Sequence, residues 1–250
     1  MKAIIIAAGN GTRLGEHTEK LPKGLLNING KTILERQIEL LHNKNIFDIS
    51  IITGPHKEKF TFNDVKYVED YEYEKHDVLL SLMVAKDEII GDVIIIYSDI
   101  LYDENILEQI INSNVEIGIA IDLDWEKKYE GRFEHPKDQA DNVIIKNNRI
   151  IKIRKNISQI SHNQKNGEFI GITKFSKKGS EIFNREFEII EKNKPCPFHD
   201  AQTFEKSYLT DMIQELIDQN ILVEPIIIHG NWCEIDTPQD LENAKNNYKL

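Results

Sequence analysis

The sequence has little that would mark a secreted or membrane protein. Only two cysteines occur among 250 residues, Cys196 and Cys233. Their spacing supports neither a disulfide framework nor a metal site, and both are expected to be reduced. No apolar run approaches the roughly 20 residues that a membrane-crossing helix needs. The first run, Ala3–Ala8, is too short for a signal-peptide core, and glycines and charges follow at once. These absences predict a cytoplasmic chain with no membrane insertion. Basic charge is short as well: 31 Lys and Arg stand against 42 Asp and Glu, a formal net charge of −11. That argues against a nucleic-acid partner, which needs a basic face. A small anion needs only a local positive pocket. Repeats, low-complexity tracts and linkers are missing too, so one domain over residues 1–250 is the economical organisation.

What is present is alternation. The apolar run Lys2–Ala8 leads to a glycine loop, and Ile33, Leu34, Ile38 and Leu41 recur at helical spacing. A strand at Ile49–Thr53, a helical stretch near Val78–Ile89 and a strand at Asp92–Ser98 follow. A helix at Glu104–Ile111 and a strand at Glu116–Asp122 close this half. The pattern predicts βαβ units in a doubly wound, mainly parallel α/β sheet. The strands are nearly continuous in apolar residues, as expected when helices cover both faces. After Asp122 the rhythm changes. Trp125–Asp141 reads as a polar and aromatic insertion. Residues 142–153 read as a hairpin turning at Asn147-Asn148, and Phe169–Phe175 as another strand. Together, residues 123–175 form a small inserted β subregion. Helices are predicted at Lys177–Glu191 and Thr203–Gln219, and a strand at Leu222–His229. In Thr237-Pro-Gln-Asp-Leu-Glu the threonine caps, proline takes the first helical position and acids fill the first turn of a last helix.

The chemistry is concentrated in a few strings. Gly9 and Gly11 follow the first strand, where backbone N–H groups can face phosphates. A dinucleotide fingerprint fails because position 14 is Leu, and no G-K-[ST] follows for a P-loop. Taken alone, the glycines could be a plain tight turn. The strand Asp92–Asp99 ends in a carboxylate, at the sheet edge where α/β folds bind ligands. Asp99 could hold magnesium, or it could cap the helix that follows. Trp125, Tyr129 and Phe133 recur at a spacing of four, so they could line a pocket or simply cover the sheet. Aromatic rings there could hold an ammonium by cation–π attraction, with Asp122 and Asp124 adding charge. His199-Asp200 reads as a surface pair, and neither cysteine has a visible activating partner.

The complete string Ala7-Ala8-Gly9-Asn10-Gly11-Thr12-Arg13-Leu14, then Leu21-Pro22-Lys23 and Gly30-Lys31-Thr32-Ile33-Leu34, resembles the signature of the sugar-phosphate nucleotidyltransferase superfamily. Trp232-Cys-Glu-Ile-Asp236-Thr-Pro-Gln-Asp-Leu resembles its C-terminal string. The segment Asp122–Pro136, Glu168-Phe-Ile-Gly-Ile172 and Tyr208-Leu-Thr-Asp211-Met-Ile-Gln resemble a narrower branch. That branch comprises cytidylyltransferases of phosphocholine, 2-aminoethylphosphonate, glutamine phosphate and similar small zwitterions. The resemblance implies a Rossmann-like nucleotidyltransferase fold, CTP and a small phosphorylated acceptor as partners, and Mg²⁺ as cofactor. It assigns catalysis to Lys23 and Arg13, and nucleotide contacts to Ala7, Ala8, Gly9, Gly11, Thr12, Ser81 and Ser98. Metal ligation falls to Asp99 and Asp236, and acceptor contacts to Trp125, Tyr129, Arg132, Glu168 and Glu234. It leaves a homodimer open. The sequence departs from the branch at His76-Asp77, where an Asn pair is common. Two alternatives remain: a sugar-1-phosphate uridylyl- or thymidylyltransferase, and a non-catalytic nucleotide-binding subunit.

Overall fold

A computed structural model describes residues 1–157 and 160–247; residues 158 and 159, inside the expected subregion, and 248–250 lie outside it. In chain order the first half runs β1 (Lys2–Ala7), β2 (Asn27–Ile28), β3 (Lys31–Thr32), α1 (Ile33–Asn43), β4 (Ile49–Thr53) and β5 (Lys66–Glu69). It continues with α2 (Val78–Met83), β6 (Val93–Tyr97), β7 (Ile100–Tyr102), α3 (Glu104–Asn112) and β8 (Ile117–Asp122). The second half holds β9 (Asp141–Lys146), β10 (Arg149–Lys155), β11 (Lys165–Phe175), α4 (Lys177–Asn193), α5 (Leu209–Asp218), β12 (Glu224–Ile227), β13 (Trp232–Glu234) and α6 (Pro238–Asn247).

The expected α/β sheet is there, with β1 at its centre, parallel to β4 on one side and β6 on the other; β5 extends the β4 side. The chain leaves β1 for β4 and β5, then crosses back to β6. The crevice beyond the ends of β1 and β6 is therefore a topological switch point, where such sheets bind ligands. Ala3, Ile4, Ile5, Ile51, Ile52 and Val93–Ile96 are fully buried. Helices on both faces bury these strands, which explains their unbroken apolar runs. The second half adds mostly antiparallel pairing. Strand β11 pairs along one edge with β6 and then β9, and along the other with β8, while β12 lies parallel to β8. The β9–β10 hairpin turns at Asn147 and Asn148, both with left-handed φ, as a tight two-residue turn requires.

Local chemistry sets the element ends. Thr32 and Glu35 form a reciprocal capping box at α1. Two predicted helices are shorter than expected. The stretch from Val78 gives one helix to Met83 and a separate 3₁₀ turn at Lys86–Glu88. The stretch from Thr203 gives a 3₁₀ turn at Phe204–Lys206, and α5 starts only at Leu209. There Tyr208 N–H donates to Asp211 Oδ2 at 2.7 Å, a capping bond that starts the helix afresh. Strand β5 was not predicted, since its exposed Lys66 and Tyr67 break the apolar pattern.

Candidate active site

The glycine loop leaves the end of β1 with its backbone shaped by close approach. A Cβ on Gly54, just after β4, would lie 2.5 Å from the Ala8 carbonyl oxygen, so only glycine lets the two strand ends meet. Gly11 has φ +61°, the left-handed conformation that glycine tolerates best, and Thr18 Oγ1 donates to its carbonyl at 2.7 Å. Gly9 is different. Its φ is not left-handed, and a Cβ there would meet nothing within 4 Å. The fold does not need a glycine at that position; open space beside backbone does need one if a ligand comes close.

Lys23 is set on a 3₁₀ turn after Pro22. Its neighbour Gly24 lets that turn lie against α1 and the end of β6: a Cβ would come 2.9 Å from Leu34 and 3.1 Å from Ser98. Asp99 follows β6. Strand β7 pairs antiparallel with β13, and Ile235 N–H donates to the Asp99 carbonyl at 2.9 Å. That small pairing brings Asp236 alongside Asp99. The Lys23 ammonium lies 2.9 Å from Asp99 Oδ2 and forms a short ion pair with Asp236. Arg13 Nη2 lies 2.6 Å from Asp236 Oδ2, and Arg13 Nη1 donates to Gln139 Oε1 at 2.9 Å. Burial alone would lower the Lys23 pKa, but Asp99 and Asp236 outweigh it and raise it, so the ammonium is held charged. Burial likewise works to raise Asp236; the Lys23 and Arg13 charges overcome it and hold that carboxyl below its ordinary range.

The two carboxylates fit a hard divalent cation. Asp99 Oδ1 is buried without a hydrogen-bond partner, a costly state that a cation relieves, and both groups offer oxygen donors. Neither is consumed by helix capping: Asp103 caps α3 at 3.0 Å, and Thr237 with Asp240 caps α6.

A narrow cavity of about 60 Å³ opens beside Asp236, lined among others by Tyr97, Tyr129, His135, Glu168, Trp232 and Glu234. Tyr129 donates a short hydrogen bond to Glu168, whose other oxygen is buried and unpartnered. Burial pushes the Glu168 carboxyl up to about 8. Burial, then the like charges of Asp236 and Asp99, raises Glu234 well above the carboxylate range.

The structure thus brings Arg13, Lys23, Asp99, Asp236, Glu234, Tyr129 and Glu168 together, with Ala7, Ala8, Gly9, Gly11 and Thr12 in or beside the loop and buried Ser98 behind Gly24. Three expected site residues are placed otherwise. Ser81 gives its hydroxyl to Asp70 Oδ2 at 2.7 Å, and His76 Nδ1 sits 2.9 Å from the same carboxylate, so Ser81 is committed inside the protein. Trp125 is buried edge-on to Tyr129, next to Ala140, and does not line the cavity. Arg132 does not offer a free fork: it grips Asp240 through two bonds of 2.6 and 3.0 Å and lies 5.0 Å from the centre of the Tyr129 ring. Asp122 is likewise committed, accepting from Trp232 Nε1 at 2.8 Å. His199 pairs with Glu215 and Asp200 with Arg154, so they form no acid–base pair. Burial pushes the Cys233 thiol up to about 12, far from a nucleophile.

Sequence reasoning missed His135 and Asp240. His135 Nδ1 lies 2.9 Å from Arg132 Nη2 and 3.3 Å from Asp236 Oδ2. Burial and the Arg132 charge lower its pKa to about 4, so the imidazole is neutral near pH 7. His135 sits inside the Asp122–Pro136 string, but nothing in its spacing shows that it reaches the C-terminal carboxylates. Asp240 reads as one of several first-turn acids, and only the fold shows Arg132 opposite.

Residues 3–123 match the model of the MobA-like NTP transferase domain. The chain is 30% identical to the CTP:phosphoglutamine cytidylyltransferase of Campylobacter jejuni subsp. jejuni serotype O:2, over 97% of this chain and 98% of that one. It is 43% identical over 99 residues to the choline-phosphate cytidylyltransferase of Streptococcus pneumoniae, which is 38% of this chain and 43% of that one. A solved structure of the CTP:phosphocholine cytidylyltransferase of Streptococcus pneumoniae (LicC) shares the fold, with a TM-score of 0.74 at 24% identity and 99% coverage of both chains. With a full-length relative at 30% identity and this fold, the chain belongs to the sugar-phosphate nucleotidyltransferase superfamily, in its branch of small-acceptor cytidylyltransferases.

Proposed function

We propose that the chain transfers CMP from CTP to a small phosphorylated or phosphonate zwitterion and releases pyrophosphate. The observation that carries this reading is the convergence of Arg13, Lys23, Asp99 and Asp236 beside an open glycine loop. An acceptor phosphate or phosphonate oxygen forms a bond to the α-phosphorus of CTP. The bond from that phosphorus to the bridging oxygen breaks, and pyrophosphate leaves with the electron pair. A phosphate-ester acceptor has its second ionisation near pKa 6, so the nucleophile is already charged at neutral pH and no general base is required. Lys23 supplies a fixed positive charge for the α-phosphate, and the Arg13 fork suits the β- and γ-phosphates. Backbone N–H groups of Ala7–Thr12 cradle the triphosphate, and Ser98 supports that wall. Asp99 and Asp236 would hold magnesium, which when bound neutralises phosphate charge and polarises phosphoryl oxygens. Tyr129, Glu168 and Glu234 face the acceptor.

One sheet runs through both halves, which supports reading the whole chain as one catalytic unit. No helix among the described residues is long and apolar enough to cross a membrane. We place the enzyme in the cytoplasm, making CDP-activated groups for surface polysaccharide or lipid decoration. The two named relatives act on phosphoglutamine and choline phosphate, and both acceptors belong to this class. The test is pyrophosphate release with Mg²⁺, crossing CTP, UTP, ATP and GTP against phosphoglutamine, phosphocholine, 2-aminoethylphosphonate and glucose-1-phosphate. Release with CTP and a zwitterionic acceptor is expected, and EDTA is expected to abolish it. Release with UTP and the sugar phosphate would instead make the chain a sugar-phosphate transferase.

A further inference from the structure

We infer that Lys23 is a movable stand-in for the divalent cation. Its ammonium holds the place between Asp99 and Asp236 until a triphosphate draws it off, so that metal and nucleotide enter as a coupled pair. The identity of that triphosphate rests on the cytidylyltransferase reading; the place of the lysine does not. Lys23 Nζ lies 2.9 Å from Asp99 Oδ2 and forms its short ion pair with Asp236 Oδ1. Arg13 Nη2 takes the other oxygen of Asp236, Oδ2, at 2.6 Å. Three of the four carboxylate oxygens thus already face a cation of the protein, and among the described residues only Asp99 Oδ1 has no partner. Two carboxylates meet two cations, so the unit is neutral. A magnesium ion sits about 2.0–2.1 Å from each oxygen it binds. The point close to both inner oxygens is the one that the ammonium fills, and two cations cannot share it.

The lysine is held in a way that lets it leave. Its backbone is fixed: it lies on a 3₁₀ turn whose Gly24 has no room for a Cβ, which would come 2.9 Å from Leu34. Its ammonium is not fixed by the backbone at all, and donates only to the two carboxylates. Lys174 shows the contrast, with its ammonium fastened to the carbonyl oxygens of Ile111 and Ser113. The Lys23 charge is permanent, and its four-carbon stem lets the position change. Magnesium dehydrates reluctantly and favours one or two carboxylates together with phosphate oxygens. One free carboxylate oxygen beside two resident cations is therefore a poor site for it. A triphosphate on the glycine loop changes both sides of the balance. Its α-phosphate gives Lys23 a new anionic partner, and its oxygens join the released carboxylates as donors for the metal.

The test measures binding of Mn²⁺, used in place of Mg²⁺, from the electron paramagnetic resonance of the free ion, with no acceptor and no turnover. Without nucleotide, Lys23→Met is expected to bind Mn²⁺ about 10- to 100-fold more tightly than wild type. Lys23→Gln, neutral but polar, should gain by a similar factor, so the prediction stands on two variants. Arg13→Met removes the same charge from the outer oxygen of Asp236 and leaves the inner point filled; it should gain no more than about fivefold. Adding Asp99→Asn to Lys23→Met should abolish the gain, which places the ion at these carboxylates. Mn²⁺ alone should also raise the Tm of Lys23→Met more than that of wild type. Equal affinity in wild type and both Lys23 variants, or an equal gain in Arg13→Met, overturns the inference whichever nucleotide the enzyme uses. A gain confined to the Lys23 variants upholds it, and absence of pyrophosphate release with CTP in the wild type then removes only the identity of the nucleotide.

Discussion

At the scale of single residues, Lys23 is the test of mechanism. It is half-buried, charged and within reach of both Asp99 and Asp236. Lys23→Ala is expected to fold and to lose on the order of 10²–10³ in kcat, as when one electrostatic donor is removed from a transition state. A folded, nearly fully active variant would show that charge at this point is not used. Glu168 makes a pH prediction. Its folded pKa of about 8 exceeds the ordinary value of 4.5, so the folded state holds a proton that the unfolded state releases between those pH values. Stability from this group is therefore complete below pH 4.5 and is lost as pH rises through 8. Glu168→Gln should flatten that loss, read as a smaller fall in denaturation midpoint from pH 5 to pH 9. Arg13, Lys23, Asp99 and Asp236 could be picked out from sequence because each sits in a short local string. Ser81 and Arg132 could not be placed that way: the partners that claim them, Asp70 and Asp240, come into reach only by folding. For Trp125 the spacing of four to Tyr129 was legible, but only packing shows the two rings buried against each other.

At the scale of elements, the glycine loop and the strand ends around it divide into fold and function. Gly54→Ala drives a Cβ into the Ala8 carbonyl and should cost about 1–3 kcal/mol. For a chain of this size that lowers Tm by several degrees. Gly9→Ala meets open space, so Tm should hardly move while CTP affinity falls. Equal Tm losses in the two variants would show Gly9 to be structural. The elements themselves were readable to differing degrees. β1, β4, β6 and β8 announce themselves because burial on both faces demands continuous apolar residues. The β9–β10 hairpin announces itself through Asn147-Asn148. The three-residue strands β7 and β13 do not: they are too short for a period, and their pairing spans about half the chain. Yet that pairing sets Asp236 beside Asp99.

At the scale of the whole molecule, Arg132 ties the inserted segment to the C-terminal helix. Its guanidinium holds Asp240, and the same carboxylate accepts from the Asp236 and Thr237 N–H groups that start α6. The inserted segment and Asp236 are thus fastened to one another through a buried ion pair. Arg132→Met leaves Asp240 buried without its cation and should destabilise by about 3–5 kcal/mol. Arg132→Met with Asp240→Asn should recover a large part of that in chemical denaturation, because the uncompensated charge is gone. If the double variant is no more stable than the single, the pair is not the tie described.

By itself the sequence determined the alternating α/β sheet and the glycine loop, written in local apolar periods and contiguous strings, and its resemblance to a family singled out four charged residues that the structure gathers. Only the tertiary structure decided which charged and aromatic groups are free to meet a ligand. A buried charge takes the nearest opposite partner that the fold supplies, and nearness across a hundred residues is a property of packing, not of spacing along the chain.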